Sequence, residues 1–131
     1  MACGSRSGQA RGRHGTSVTT RLFVSGATRD TDTDKLDFDG FLAPRVLRAY
    51  AEYMHGCRVQ ADGAARASDN WQKGIPRDVY MKSMWRHFFA VWDGHRAGAV
   101  PRDALCALLF NVMGYLFEET RQSPQVTKEA P

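Results

Sequence analysis

Apolar residues recur at helical spacing in three stretches of the chain, which we take as three main helices. In the first stretch they form a stripe opposite Arg45, Arg48 and Glu52. This three-to-four residue period is typical of amphipathic α-helices. Each stretch also begins at or beside a proline, which is favoured in the first helical turn. The predicted helices span residues 44–55, 76–93 and 101–119.

A long loop separates the first two predicted helices. Residues 56–75 contain Asp62-Gly63, Asn70-Trp71 and Gly74, with no sustained apolar period. Loops of this length are uncommon in compact domains and are usually functional. We therefore predict an all-α fold, a small helical bundle of three main helices with one long functional loop. The two wide apolar faces predict that oligomerisation completes the core.

Both ends of the chain lack this apolar period. Residues 1–26 are rich in Gly, Ser, Thr and Arg and contain no acidic residue, which predicts a disordered basic tail. An organelle transit peptide is the alternative for such an Arg-rich composition, although no apolar helical stripe accompanies it. Residues 27–120 then form one domain, and residues 121–131 form a flexible polar tail.

Charge and cysteine content narrow the class of protein. The net charge of +4 comes from the tail, because residues 27–131 hold 14 basic and 14 acidic residues. A neutral domain does not favour specific binding to duplex DNA, which needs a concentrated basic face. The three cysteines are an odd number and widely spaced, which fits a reducing cytoplasm. No apolar run reaches the ~20 residues of a membrane span, so no membrane association is expected.

Several polar residues stand among apolar ones and are candidates for chemistry. His87 lies in the aromatic second helix, where it is either a core histidine or a proton acceptor; histidine is the commonest residue for that role near neutral pH. Arg86 either clamps a phosphate or forms a surface salt bridge. Asn111 is an amide in an apolar run and must find a partner, since an unpaired buried amide costs about 1–3 kcal/mol. Trp71 either stacks on a base or pins the loop.

Three carboxylates have both a structural and a functional interpretation. Glu52 pairs with Arg48 one helical turn away or serves as a metal ligand. Asp103 suits the helix dipole in the first turn of the third helix or binds metal. Asp37 belongs to an acidic, solvated lead-in to the first helix or lies near a metal or phosphate site.

The motif Asn70-Trp71-Gln72-Lys73-Gly74, followed by Arg86-His87 and a later Asn111, resembles the phage and prophage family of dATP/dGTP diphosphohydrolases. That family is related to the MazG-like all-α nucleoside triphosphate pyrophosphohydrolases. Upstream, Thr28-Arg29-Asp30 and Lys35-Leu36-Asp37 resemble the family's N-terminal elements. The resemblance covers roughly residues 26–120 and implies cleavage of a purine dNTP into dNMP and pyrophosphate.

The resemblance also implies site roles and a cofactor. Mg²⁺, or Mn²⁺ in its place, is the implied cofactor, and a cytoplasmic homo-oligomer in a bacterial or phage-infected cell is the implied setting. Catalytic roles fall to His87 and Glu52, and metal binding to Glu52, Asp103 and Asp37. Substrate-binding roles fall to Arg29, Lys35, Asn70, Trp71, Lys73, Arg86 and Asn111.

One departure from the MazG pattern keeps a second function open. Those enzymes carry Glu-x-x-Glu and Glu-x-x-Asp on two helices, whereas here Val100 stands three residues before Asp103 and the core has no Glu-x-x-Glu. The alternative is therefore a non-catalytic module on the same fold that binds a nucleotide or another protein.

Overall fold

A computed structural model describes residues 19–122, and within them the chain is mostly helical. The described residues fall into two compact units that divide between Phe41 and Leu42. The prediction of a small all-α domain is confirmed, with one short two-stranded sheet added. The elements are β1 (Thr20–Leu22), β2 (Thr28–Asp30), α1 (Phe38–Phe41), α2 (Pro44–Gly56), a 3₁₀ helix (Asn70–Lys73), α3 (Arg77–Ala97) and α4 (Arg102–Gln122).

The first unit begins with an antiparallel hairpin that the sequence analysis did not predict. Leu22 pairs with Thr28, and Gly26 adopts a φ of +84° in the connecting turn. For residues 19–26 this hairpin corrects the prediction of a disordered tail, while residues 1–18 lie outside the described part of the chain. Both strands are only three residues long, and all their residues are exposed. They therefore lack the alternation of apolar and polar residues that predicts a strand from the sequence.

Three predicted site residues lie in this first unit. Arg29 stands on β2 opposite Arg21, and Lys35 forms an exposed ion pair with Asp32 at 3.7 Å. Asp37 precedes α1, and its Oδ1 accepts a hydrogen bond from the Gly40 backbone N–H at 2.8 Å. Asp37 therefore caps the first turn of a short helix, a role that the sequence analysis did not predict. Substrate or metal roles for the three remain predictions.

The main helices of the second unit run further than the sequence predicted. We expected a turn from Gly94, but α3 continues to Ala97 and ends at Gly98, whose φ is +79°. The Gly98 N–H donates to His95 O and the Ala99 N–H to Gly94 O, which closes the helix end. Gly94 instead permits a close approach, because a Cβ there would lie 2.6 Å from Pro101 Cδ.

Tyr80 is the most buried side chain of the second unit and joins α3 to α4. It is 1% exposed, and its ring packs on the backbone of Gly114, where an added Cβ would collide with the ring. Phe110 meets the same ring edge to face, with centroids 6.0 Å apart. Arg77 at the start of α3 forms an ion pair with Glu119 near the end of α4, and Gly94 near the end of α3 lies against Pro101 just before α4, so the two helices are antiparallel. On the other side of α4, α2 approaches closely enough for the Cys106 thiol to donate to Ala49 O at 3.9 Å.

Much of the apolar surface of α3 stays uncovered in the described chain. Trp85 is 60% exposed, and Phe88, Phe89 and Trp92 are each about half exposed. Phe89 and Trp92 contact one another edge to face, with centroids 5.6 Å apart. The buried part of the unit is correspondingly small, and it consists of Tyr80, Cys106, Ala107, Asn111 and Gly114.

The Tyr80–Gly114 contact predicts that Gly114→Ala destabilises the fold. The new methyl group would displace the Tyr80 ring, and overpacking of this kind costs about 1–3 kcal/mol. Urea unfolding would measure the loss. Gly56→Ala is the matched control, because nothing lies within 4 Å of its Cβ position at the end of α2. Equal unfolding midpoints for the two variants would show that Gly114 is not required for this packing.

Candidate functional site

A cavity of about 600 Å³ lies within the second unit, between α2, α3, α4 and the loop that follows α2. Four predicted site residues line it together: Asn70, Trp71, His87 and Asn111. Its volume falls in the range of small-molecule sites, and its wall is mainly apolar with a few polar groups, which is also typical of them. The cavity is therefore the candidate functional site of the described chain.

The 3₁₀ helix places Trp71 by docking on α4. The Trp71 ring meets Phe117 at 4.9 Å and Phe110 at 6.2 Å between centroids, both edge to face. Backbone groups nearby are also held, because Ile75 N–H donates to Glu118 Oε1 at 3.3 Å and Arg121 donates to Gln72 O at 3.2 Å. Trp71 thus anchors the loop and lines the cavity at the same time.

Asn111 and His87 approach the cavity from different helices. Asn111, on α4, is 5% exposed, and its Nδ2 donates to Ala107 O at 2.7 Å. The side-chain amide of Asn111 thus bonds to the backbone of its own helix. No group within residues 19–122 donates to Asn111 Oδ1. His87, on α3, is half-buried and lines the cavity with Ser83, one turn earlier.

The remaining predicted residues of the second unit lie outside the cavity lining. Lys73 is exposed at the end of the 3₁₀ helix, and Glu52 and Asp103 are exposed on α2 and α4. Arg86 is also exposed, and its Nη2 donates to Ser83 Oγ at 2.8 Å. Ser83 lines the cavity, so the Arg86 guanidinium is held beside a lining hydroxyl.

The first part of the loop folds into a small hairpin that sequence reasoning did not predict. Val59 and Ala65 form an antiparallel bridge, and Gly63 turns the chain with a φ of +83°. Asp62 Oδ1 accepts a hydrogen bond from Ala64 N–H at 2.9 Å inside the turn. The Asp62-Gly63 pair was the available signal, because Asp-Gly is a frequent hairpin turn.

The cavity lining carries positive and neutral polar groups but no carboxylate. His55, Arg58, Arg66 and His87 all belong to it, and no Asp or Glu does. We did not single out His55, Arg58 or Arg66 from the sequence, because nothing in their spacing indicates that the loop brings them together. A lining that contains basic side chains and no carboxylate attracts negatively charged ligands.

Two tyrosines of α2 also line the cavity and were missed, because their helical spacing made them part of the apolar stripe. Burial raises the pKa of Tyr50 above its ordinary value. Burial, a hydrogen bond with Cys57 and nearby negative charge raise the pKa of Tyr53 to about 12. Both phenols therefore remain protonated near neutral pH and can donate hydrogen bonds to an anionic ligand.

No group of three or more His, Cys, Asp or Glu side chains within residues 19–122 is arranged to hold a metal ion. The donor set therefore does not form a protein-only metal centre, although Asp103 lies near enough to Tyr53 to affect its pKa. No helix in that range is long and apolar enough to cross a membrane.

Comparison with known proteins gives a match to a family model. No curated protein and no solved structure matches the chain. A family model described as dATP/dGTP diphosphohydrolase, N-terminal, matches residues 25–123, which is most of the chain. This match confirms the resemblance drawn from the Asn70–Gly74 motif and Arg86-His87. The chain therefore belongs to the dATP/dGTP diphosphohydrolase N-terminal family.

Proposed function

We propose that the protein hydrolyses purine deoxynucleoside triphosphates to dNMP and pyrophosphate, with Mg²⁺ as cofactor. The observation that carries the proposal is the convergence of Asn70, Trp71, His87 and Asn111 around one cavity. These residues come from the loop, α3 and α4, and all four belong to the motif elements that resemble the family. The absence of carboxylates from the lining also suits an anionic ligand.

The base and sugar bind at the aromatic side of the cavity in this proposal. Trp71 offers a ring already held by Phe110 and Phe117, so stacking on a base costs little further ordering. Aromatic stacking is worth about 1–3 kcal/mol per base in proteins that bind single strands. Asn70 and the Oδ1 of Asn111 supply hydrogen-bonding groups that can distinguish one base or sugar edge from another.

His87 acts on the water in this proposal. The water attacks the α-phosphorus, the bond from that phosphorus to the bridging oxygen breaks, and pyrophosphate leaves. His87 accepts the proton that the attacking water loses, a role that contributes typically 10²–10⁴-fold in rate. Its half-buried position in the lining permits contact with both water and ligand. The predicted catalytic role of Glu52 and the predicted substrate-binding roles of Lys73, Arg86, Arg29 and Lys35 remain part of the proposal.

In this proposal Mg²⁺ binds together with the nucleotide. Mg²⁺ usually keeps several waters and is held by one or two carboxylates together with substrate phosphates, so a three-ligand protein cage is not required. Glu52 on α2 and Asp103 on α4 are the residues that would hold it in this proposal. Asp37 is the third predicted ligand and is engaged as a helix cap. When bound, the ion would neutralise charge on the phosphates.

A nucleotide-binding module without catalysis is the second candidate function. The observation that favours it is the position of Glu52 and Asp103 outside the cavity lining. A binding protein needs the aromatic and amide groups of the cavity but no carboxylate beside the phosphates. Release of pyrophosphate separates the two candidates, since both bind dATP or dGTP but only the enzyme consumes it.

The proposal predicts that His87→Ala lowers turnover by about 10²–10⁴-fold while the melting temperature stays nearly unchanged. Pyrophosphate release would be measured on a panel of dNTPs, with and without Mg²⁺, for wild type and variant. His95→Ala is the matched control, because His95 is exposed in the last turn of α3 and does not line the cavity. We expect wild-type activity from that control and preference for dATP or dGTP in the panel.

Two results would count against the assignment of His87. A His87→Ala protein that melts early but turns over normally would make His87 a packing residue. Equal loss of activity in His87→Ala and His95→Ala would show that the effect is not specific to the cavity. Nucleotide binding by the wild type without pyrophosphate release would favour the second candidate function.

Self-association is a further part of the proposal, with a second copy of the chain as the occupant of the exposed apolar face. This face is formed by Trp85, Phe88, Phe89 and Trp92 on α3. A mainly apolar groove between α3 and α4 is lined by Met81, Met84, Val112, Tyr115, Leu116 and Glu119. The groove and the large apolar side chains lie on the same pair of helices. One copy could therefore insert its side chains into the groove of the other by a two-fold operation.

Light scattering at micromolar concentration is predicted to give a species larger than the 14.6 kDa monomer. Trp85→Glu should shift the distribution toward monomer, because a charge on the face would be desolvated in the dimer. Arg45→Glu is the charge-changing control, because Arg45 is an exposed residue of α2, and it should leave the mass of the scattering species unchanged. A monodisperse 14.6 kDa wild type would reject self-association.

A further inference from the structure

The small hairpin after α2 places two arginines directly opposite one another. Val59 and Ala65 are bridge partners, so Arg58 and Arg66 form the next cross-strand pair, and the Arg66 N–H donates to Arg58 O at 2.9 Å. Like charges directly opposite on paired strands are destabilising. The hairpin therefore holds two positive charges together at a cost that a bound anion would remove.

Both guanidinium groups are oriented by the backbone of the hairpin. Arg58 Nε donates to Arg66 O at 2.8 Å, and Arg66 Nη2 donates to Cys57 O at 2.8 Å. These bonds use part of the donor set, because a guanidinium has five N–H donors. Both side chains are thus positioned before a ligand binds, and most of their N–H groups remain available to it.

No carboxylate neutralises the pair within the part of the chain that the structure describes. Neither arginine forms an ion pair there, and Asp62, the acidic residue of the same hairpin, bonds the turn at Ala64. Both arginines line the 600 Å³ cavity, which has no Asp or Glu in its wall. The positive charge of the two arginines, their position in the cavity lining and their remaining N–H donors all indicate that they bind an anion inside the cavity.

We propose that Arg58 and Arg66 bind the phosphate groups of the nucleotide, as a two-arginine clamp on the hairpin. The inference rests on the proposed function, since it assigns the phosphate end of the same cavity. A guanidinium offers two parallel N–H groups that match two phosphate oxygens, and such charge-assisted bonds are among the strongest available. Two forks on facing strands suit a chain of phosphates better than a single phosphate.

The geometry also orients the nucleotide in the cavity. The arginines stand on the hairpin beside the end of α2, whereas Trp71 docks on Phe110 and Phe117 of α4. With the phosphates at the hairpin and the base at Trp71, the ligand lies across the cavity between the two parts of the loop. His87 and Ser83 then approach it from α3.

Calorimetric titration with three probes tests the clamp: inorganic tripolyphosphate, dATP and deoxyadenosine. Arg58→Gln and Arg66→Gln should each weaken tripolyphosphate and dATP binding on the order of 10–100-fold, the loss expected for a charge-assisted hydrogen bond. Deoxyadenosine, which carries no phosphate, should bind all proteins equally. Arg45→Gln is the matched control, because Arg45 is exposed on α2 and does not line the cavity.

A measurement on the wild-type protein keeps the test valid if the hairpin variants fail to fold. Phenylglyoxal modifies accessible arginines, and peptide mass spectrometry locates the modified positions. Tripolyphosphate should protect Arg58 and Arg66 and leave Arg45 as reactive as before. Equal modification of all three with and without tripolyphosphate would overturn the clamp, as would unchanged dATP affinity in folded Arg58→Gln and Arg66→Gln proteins.

The clamp and the proposed reaction can fail separately. Protection and weakened tripolyphosphate binding without pyrophosphate release from any dNTP would support the clamp and reject the hydrolase. Protection by single inorganic phosphate as strong as that by tripolyphosphate would overturn the assignment to a phosphate chain. Normal dATP turnover and KM in both arginine variants would support the hydrolase and reject the clamp.

Discussion

The packing of the Tyr80 ring on Gly114 is the contact on which the second unit depends. Because Gly114 has no side chain, α3 and α4 approach closely at this point, and the ring becomes the most buried group of the described chain. Its hydroxyl has no hydrogen-bond partner there, and burial raises its pKa. The ring therefore contributes by apolar packing, while the buried hydroxyl opposes it.

A series of aromatic contacts connects the Tyr80–Gly114 contact to the rest of the cavity. Tyr80 meets Phe110, and Phe110 and Phe117 in turn hold Trp71. The loop is thus attached to the helix pair by ring edges, together with the hydrogen bonds that Glu118 and Arg121 make to its backbone. This arrangement leaves the polar atoms of Asn70, His87 and Asn111 at the wall of the cavity, where a ligand can reach them.

The electrostatics of the cavity set it apart from a metal centre built from helical carboxylates. Its charged groups are basic, and the acidic residues considered as metal ligands stand elsewhere on α2, on α4 and in the first unit. A basic, partly aromatic wall suits a ligand with a negative end and a flat apolar end. This matches a nucleotide, and it agrees with the family to which the chain belongs.

Local features of the sequence were enough to predict the helices and the loop motif. Apolar periodicity and the prolines at 44, 76 and 101 act within one or two turns, so the helix starts agree with the structure to within one residue. Motif matching likewise needs only the order of residues, and it brought attention to Asn70, Trp71, His87 and Asn111. The end of α3 was predicted too early, because the sequence alone does not show whether Gly94 ends a helix or permits a close contact.

The features that the sequence alone did not predict depend on contacts between residues that are far apart in the chain. Asn111 bonds Ala107 of its own helix, and Trp71 both anchors the loop and lines the cavity. Arg58 and Arg66 carry no motif, and their proximity exists only because the loop folds into a hairpin beside α2. Local sequence thus determined the elements and part of the candidate site, whereas the charge and shape of the cavity depend on tertiary packing, which residue order does not encode directly.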